Sequence, residues 1–305
     1  PEVLMYDLII VGGGPAGLTA GIYAQRARLK TLLLEREFVG GQIAVSDVIE
    51  NYPGFPSISG AALMERFEEH AKGFGLEIKI AGVVNISDSA GVKVLKTTEG
   101  DLKARAVIIA TGAKPRRIGV PGEKEFTGKG VSYCATCDGP LFRNQRVMVV
   151  GGGDTAVKEA VFLSRLASTV HVVHRRDKFR AEKLLQEKME SSANVVLLRS
   201  HILKEIKGGG GVVNKAAVED LKTGAVKEID LEGVFVFVGI NPATDFVDVE
   251  KNDGGFIKTN ERMETSVAGI FAAGDCRTTP LLQVATAVGD AAIAAYMAEA
   301  YIESH

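Results

Sequence analysis

Residues 6–37 read YDLIIVGGGPAGLTAGIYAQRARLKTLLLERE, and residues 145–176 read QRVMVVGGGDTAVKEAVFLSRLASTVHVVHRR. The two stretches align without a gap at an offset of 139 residues. That alignment sets Gly12 on Gly151, Gly14 on Gly153, Gly17 on Ala156 and Glu35 on His174. Each copy is an apolar run, a glycine turn, a stretch of helical period and a second apolar run, which is the pattern of a β-α-β unit. Two copies predict two dinucleotide-binding folds in one chain.

In the first copy the glycines have separate tasks. Gly12 makes the tight turn, Gly14 lets the backbone approach a pyrophosphate, and Gly17 lets helix and strand pack closely. Pro15 and Ala16 open the helix, whose free N–H groups and dipole favour an anion. Glu35 ends the second strand, where a carboxylate accepts hydrogen bonds from ribose hydroxyls. A plain structural turn would account for the glycines alone, but not for the strand, the helix and Glu35 together. The second copy, Gly151, Gly153, Asp154, Thr155 and Ala156, has the same context. At the ribose position it carries His174, Arg175 and Arg176, with Arg180 four residues further on. Guanidinium groups bind a 2′-phosphate through charge-assisted hydrogen bonds, so this half is expected to prefer NADPH to NADH.

Between the two copies stands Cys134-Ala135-Thr136-Cys137-Asp138, a C-x-x-C. The spacing suits a zinc half-site or a redox dithiol. Zinc needs about four ligands, and the only other cysteine is Cys276, which reads as a core residue. A dithiol needs two sulfurs and a means of tuning them, and Asp138 is placed to give and take a proton.

The composition bounds the alternatives. At about 150 residues per domain, 305 residues suggest two domains. A net charge of −2 carries no footprint for a polyanion, so a nucleic-acid role is not expected. No run approaches the roughly 18 apolar residues of a membrane helix. The strand pattern at the start, without a basic n-region, and the sparse, odd count of 3 Cys lead us to expect a reducing, cytoplasmic setting. Residues 61–74 have helical period and stop at Gly75, Lys114–Gly122 reads as a linker, Asn241-Pro242 marks a second break, and an Ala-rich helix closes the chain from Leu281.

At these residues the chain resembles the low-molecular-weight thioredoxin reductases (thioredoxin-disulfide reductases) of the bacterial and archaeal type. The matching segments are GGGPAG at 12–17, GGQ at 40–42, ENYPG at 50–54, ATGA at 110–113, CATCDG at 134–139, GGGDTA at 151–156, HRRDKFRA at 174–181 and GIFAAGDC at 269–276. The resemblance covers essentially the whole chain. It implies an α/β fold with two Rossmann-like dinucleotide-binding domains of the three-layer ββα type, the second inserted in the first. An FAD domain would comprise residues 1–116 and 245–305, and an NADPH domain, residues 117–244, would carry the redox disulfide. Gly41, Gln42, Asn51, Thr111, Gly112, Gly274 and Asp275 are then expected at FAD, with Gln283 and Val284 near the flavin. Cys137 would face the flavin, Cys134 would attack the partner's disulfide, and Asp138 would handle the proton. The implied electron acceptor is thioredoxin or a similar small redox protein, and the implied assembly is a homodimer. The chain departs from the family at Leu282, where many members carry arginine. Three alternatives stay open: a disulfide reductase of this fold driven by ferredoxin or a deazaflavin, a non-enzymatic FAD redox sensor, and a structural zinc protein.

Overall fold

In a computed structural model, residues 5–46 and 49–305 are described. The chain divides into two compact units, one formed by the residues up to Lys114 and from Asn241 onward, the other by Pro115–Ile240. Short strands β7 (Ala113–Pro115) and β16 (Ile240–Pro242) lie at the crossings. The sequence reading set these crossings at 116/117 and 244/245. The stretch after Lys114 that reads as a linker is held down rather than loose. Glu123, a buried residue, accepts the N–H of Ile118 at 3.0 Å and of Gly119 at 2.7 Å on its two carboxylate oxygens.

The first unit contains β1 (Met5–Val11), α1 (Pro15–Arg26), β2 (Thr31–Glu35), α2 (Gly60–Gly73), β3 (Glu77–Ile80), β4 (Val83–Ser89), β5 (Val92–Thr97), β6 (Gly100–Ile109), β17 (Ile270–Ala272) and α6 (Val284–Ser304). The sheet runs β3-β2-β1-β6-β5-β4, with β17 on the far half of β6. Strands β3, β2, β1, β6 and β17 are parallel, and β4-β5-β6 is an antiparallel meander. Alternation of side chains across the sheet explains the unbroken apolar run of β1. Leu8 and Ile10 join a core with Leu18, Ala20, Ala291 and Ala294 of α1 and α6. Ile9 and Val11 join a second core with Ile86, Leu95 and Val247. Both faces are covered, so both must be apolar.

The second unit repeats the plan. It contains β8 (Val131–Ser132), α3 (Ala135–Asp138), β9 (Arg146–Gly151), α4 (Asp154–Leu163), β10 (Thr169–His174), α5 (Lys183–Glu190), β11 (Val195–Arg199), β12 (His201–Gly209), β13 (Val212–Asp220), β14 (Val226–Asp230) and β15 (Gly233–Phe237). A parallel sheet, β11-β10-β9-β15-β8, has helices on one face and the separate sheet β12-β13-β14 on the other. Val147 and Val149 face Val157 and Ala160 of α4, while Met148 and Val150 face Ile206, Val213 and Val218. Each unit is therefore helix, parallel sheet and antiparallel layer, the ββα arrangement. Among the described residues no helix is long and apolar enough to cross a membrane.

The glycine turn fixes how closely α1 approaches β1. Gly12 has φ +114°, which disfavours any L side chain, and a Cβ on Gly17 would collide with the Gly12 carbonyl. Gly17→Ala must push the helix off the strand, and we expect a loss of about 2–3 kcal/mol, the upper part of the overpacking range. The urea midpoint of the flavin-free chain measures it, and an unchanged midpoint would show that the helix shifts freely.

Candidate functional site

The residues singled out in the first unit gather around the start of α1. The helix has Gly14 as N-cap, with no side chain bonded there, and Pro15 in its first turn, so its leading N–H groups are not capped. Glu35, at the end of β2, accepts the Gly13 N–H on Oε2 at 2.7 Å and the Glu37 N–H on Oε1 at 2.9 Å. It braces the glycine turn while standing at the strand's C-terminal end. Gly40 donates its N–H to the Gly13 carbonyl at 2.8 Å, which brings Gly41 opposite Gly14. Ala110 backs Gly12, so Thr111 and Gly112 follow directly beside the turn. Thr111 donates from Oγ1 to the Ala243 carbonyl at 2.6 Å.

Gly274 and Asp275 lie in a short 3-10 turn (Gly274–Cys276) after β17, with Gly274 against Ala16. Two residues that sequence reasoning passed over hold this turn. Asp290 of α6 accepts the Gly274 N–H at 3.2 Å and pairs with the Arg277 guanidinium at 2.9 Å, and Arg277 also donates to Thr259 at 2.7 Å. Burial, then the Asp290 charge, push the Asp275 carboxyl up to about 6. Asn51 donates from Nδ2 to Gln283 Oε1 at 3.1 Å, joining positions 232 residues apart in sequence. Gln283 caps α6 together with Thr286, and Val284 begins the helix. Gln42 is exposed in the 3-10 helix Gly41–Val45. A cavity of about 470 Å³ beside Glu35, lined by Arg36, Ala81, Gly82, Val83, Thr98 and Glu99, was also missed; these positions carry no periodic or motif signal.

Asp275 yields a test without any ligand. Its carboxyl lies above the ordinary value of 3.8, so the fold disfavours the charged form. Its penalty is nil below about 4, grows as pH rises from there and is complete above about 6. Asp275→Asn is expected to raise the melting temperature of the flavin-free chain at pH 7.5, with the gain shrinking to nil as pH falls toward 4. A gain independent of pH would rule out the buried charge as its cause.

In the second unit, Gly153 is the N-cap of α4, again with no side chain bonded there, and a Cβ on it would meet nothing within 4 Å. Ala156, buried, packs at Gly151, and Thr155 is exposed in the first turn. Asp154 accepts the Glu182 N–H at 2.8 Å, and Arg180 donates its N–H to the Gly152 carbonyl at 2.7 Å. These two bonds fold the arginine-bearing loop over the glycine turn. His174 is buried, its ring against Gly152, stacked on Phe179 at 5.1 Å, with Nε2 facing the Lys178 carbonyl at 3.1 Å. Burial lowers its pKa, and the charges of Arg180, Arg176 and Arg175 lower it further, against the opposing Lys178 bond. Arg175, Arg176 and Arg180 are exposed, a cluster of like charge at the place where the alignment sets the ribose.

The same unit holds the sulfurs. Cys134 and Cys137 are joined as a disulfide, with Cα atoms 5.3 Å apart. Cys134 is the N-cap of α3, and the Cys137 N–H points at its sulfur at 3.2 Å. A donor aimed at that sulfur favours a thiolate on Cys134 once the bond opens. Gly139 follows at the end of α3 and packs against Phe162 and Leu163 of α4. Burial pushes the thiol of Cys276, which is fully enclosed, up to about 11, so it is inert at neutral pH. Among the described residues there is no group of three or more His, Cys, Asp or Glu that could hold a metal.

A family model, pyridine nucleotide-disulphide oxidoreductase, matches residues 6–291. The thioredoxin reductase of Bacillus subtilis (strain 168) is 48% identical over 304 residues, covering 99% of this chain and 96% of that one. Among solved structures, the thioredoxin reductase from Streptococcus pyogenes MGAS5005 superposes with a TM-score of 0.95 at 44% identity, covering 99% of each chain. The one from Giardia duodenalis gives 0.93 at 37%, covering 98% of this chain and 99% of that one.

Proposed function

We propose a function from one established premise: the chain belongs to the pyridine nucleotide-disulphide oxidoreductase family, and within it to the thioredoxin reductases. It is a flavin-dependent disulfide reductase that takes electrons from NADPH and delivers them through Cys134 and Cys137 to thioredoxin or a thioredoxin-like protein. The observation that carries this reading is the disulfide seated in the same unit as the arginine-flanked glycine turn.

The residues present fit both cofactors. Space lies open where ligand phosphates would approach: a Cβ on Gly14 would come no closer than 3.9 Å to any atom, and one on Gly153 would meet nothing. The start of α1, Glu35, Gly41, Asn51, Thr111, Gly112, Asp275 and Gln283 would hold FAD. Asp275, half-buried beside the start of α1, would accept from a ligand hydroxyl. Arg175, Arg176 and Arg180 would hold the 2′-phosphate of NADPH, while Asp154 positions their loop. When bound, the cofactors supply the hydride and electron transfer that no side chain here can perform.

The protein's own part begins at the sulfurs. The opened pair exchanges with a partner disulfide: Cys134 thiolate attacks one partner sulfur, and the other leaves as a thiolate. Cys137 then attacks the Cys134 sulfur, the second partner sulfur leaves, and the Cys134–Cys137 bond re-forms. Two electrons have passed to the partner, whose two thiolates take up protons, with Asp138 as the local proton carrier. Such exchange belongs to a reducing compartment, and we assign the protein to the cytoplasm. A homodimer is supported by apolar Tyr23, Ile293 and Tyr296, exposed by 48%, 42% and 66% on α1 and α6.

Anaerobic titration of the FAD-loaded protein tests the reading. NADPH should bleach the flavin and then yield two free thiols per chain. Bleaching by reduced ferredoxin or a reduced deazaflavin, but not by NADPH, would favour the alternative donors. Bleaching without turnover of a small disulfide protein would leave a sensor.

A further inference from the structure

The redox segment is tethered by a side chain that the exchange steps do not use. Ser132 ends β8, which is locked in parallel register with Val234 and Phe235 of β15, and its side chain is buried. Its hydroxyl oxygen lies 3.0 Å from the Cys134 N–H, which it accepts, 2.5 Å from Asp138 Oδ2 and 3.2 Å from the Cys134 carbonyl. One hydroxyl has one hydrogen. The carboxylate is the nearer acceptor and the charged one, and O–H···O⁻ bonds are characteristically this short. The Cys134 carbonyl is supplied independently by the Asp138 N–H at 3.1 Å. The hydroxyl hydrogen of Ser132 therefore goes to Asp138, and its lone pair goes to the backbone of Cys134.

We infer that Ser132 is a positioning residue for the disulfide chemistry: it fixes the Asp138 carboxylate relative to the backbone of Cys134 and favours its ionised form. The inference rests on the reading of Asp138 as the proton carrier. A donor to the charged form of a carboxyl lowers its affinity for protons. Removing that donor should therefore make Asp138 take up its proton at higher pH. α4, which packs against α3, carries Asp154, Lys158 and Glu159, the last pushed upward by burial, and Arg143 follows the turn. A change at Ser132 leaves all of them in place, so their field cancels in a comparison of variants.

The test uses FAD-loaded protein. The carboxyl carbon of Asp138 is followed by NMR across pH in aspartate-labelled, oxidised enzyme, assigned with Asp138→Asn. In Ser132→Ala its titration should move up by about one pH unit, the scale of a single strong donor, while Ser132→Thr should stay with the parent. In reoxidation of the NADPH-reduced enzyme by oxidised thioredoxin, the limb of the pH–rate profile governed by Asp138 should move by the same amount. Flavin reduction by NADPH should be unchanged in both variants. An unmoved Asp138 titration in Ser132→Ala, or a shift of equal size in Ser132→Thr, would overturn the inference. If the parent enzyme fails to reduce thioredoxin, the function proposed above falls, and the NMR titration still decides the role of Ser132. Should Ser132→Ala fail to fold, Ser132→Cys, a weaker donor of similar volume, should shift the titration in the same direction; no shift there would equally overturn it.

Discussion

Replacing Arg175 and Arg176 together with alanine should raise the KM for NADPH by roughly 100-fold and leave the KM for NADH almost unchanged. Charge-assisted hydrogen bonds contribute about 1.5–3 kcal/mol each, and both side chains stand in solvent, which screens them toward the lower end. About tenfold per arginine follows, since tenfold corresponds to about 1.4 kcal/mol. The selectivity of the effect follows from what the side chains do in the fold. Among the described residues neither guanidinium forms an ion pair, whereas neighbouring Arg199 pairs with Glu190 and Lys222 with Asp177. The loop itself is held through backbone bonds of Arg180 to Gly152 and Glu182 to Asp154, and by the buried ring of His174. Truncating Arg175 and Arg176 should therefore leave the loop in place and remove only the charge that a 2′-phosphate would meet. Steady-state rates with an artificial flavin oxidant, which bypasses the disulfide, give both KM values. An equal loss with both cofactors would show that the arginines maintain the loop.

The parts of this architecture that repeat were legible in the sequence, because repetition is visible without coordinates. LIIV and VMVV, each followed by a glycine turn, could only be doubly covered parallel strands, and β1 and β9 are just that. The layers that cover them were less legible. Strands β4 to β5 and β12 to β14 are half-exposed, with few apolar positions in strict alternation, and β12 is broken by shifts in register at Leu203/Glu205 and Lys207/Gly208. The stretch from Lys114 to Gly122 reads as a linker for a different reason. Pro115, Gly119, Pro121 and Gly122 signal irregular backbone, and sequence cannot distinguish an irregular segment that swings from one pinned by a single carboxylate at Glu123. The site shows the same divide. Cys134, Cys137, Gly12 and Arg175 belong to motifs with fixed spacing. Ser132, Arg277 and Asp290 act through contacts closed by the fold, some across many residues, and no spacing announces them.

Single substitution of either sulfur should have the largest effect of all. Cys134→Ser and Cys137→Ser should each abolish turnover with thioredoxin, while flavin reduction by NADPH should proceed at close to the parent rate. The exchange needs two sulfurs in sequence, one to attack the partner and one to resolve the mixed disulfide, and a serine hydroxyl does neither at neutral pH. Loss should therefore be complete rather than graded. The two variants should nevertheless differ. The Cys137 N–H is aimed at the Cys134 sulfur, so Cys137→Ser keeps an activated nucleophile. Mixed with oxidised thioredoxin after reduction, it should trap a stable covalent complex that dithiothreitol releases, since no second sulfur remains to resolve it. Cys134→Ser keeps only Cys137, the resolving sulfur in the order of steps proposed above, and should trap little. Cys276 cannot stand in for either sulfur, because it is enclosed and its thiol is held protonated. Near-normal thioredoxin turnover in either variant would remove the pair from the electron path. Equal trapping by both would show that the bond from the Cys137 N–H does not choose the attacking sulfur.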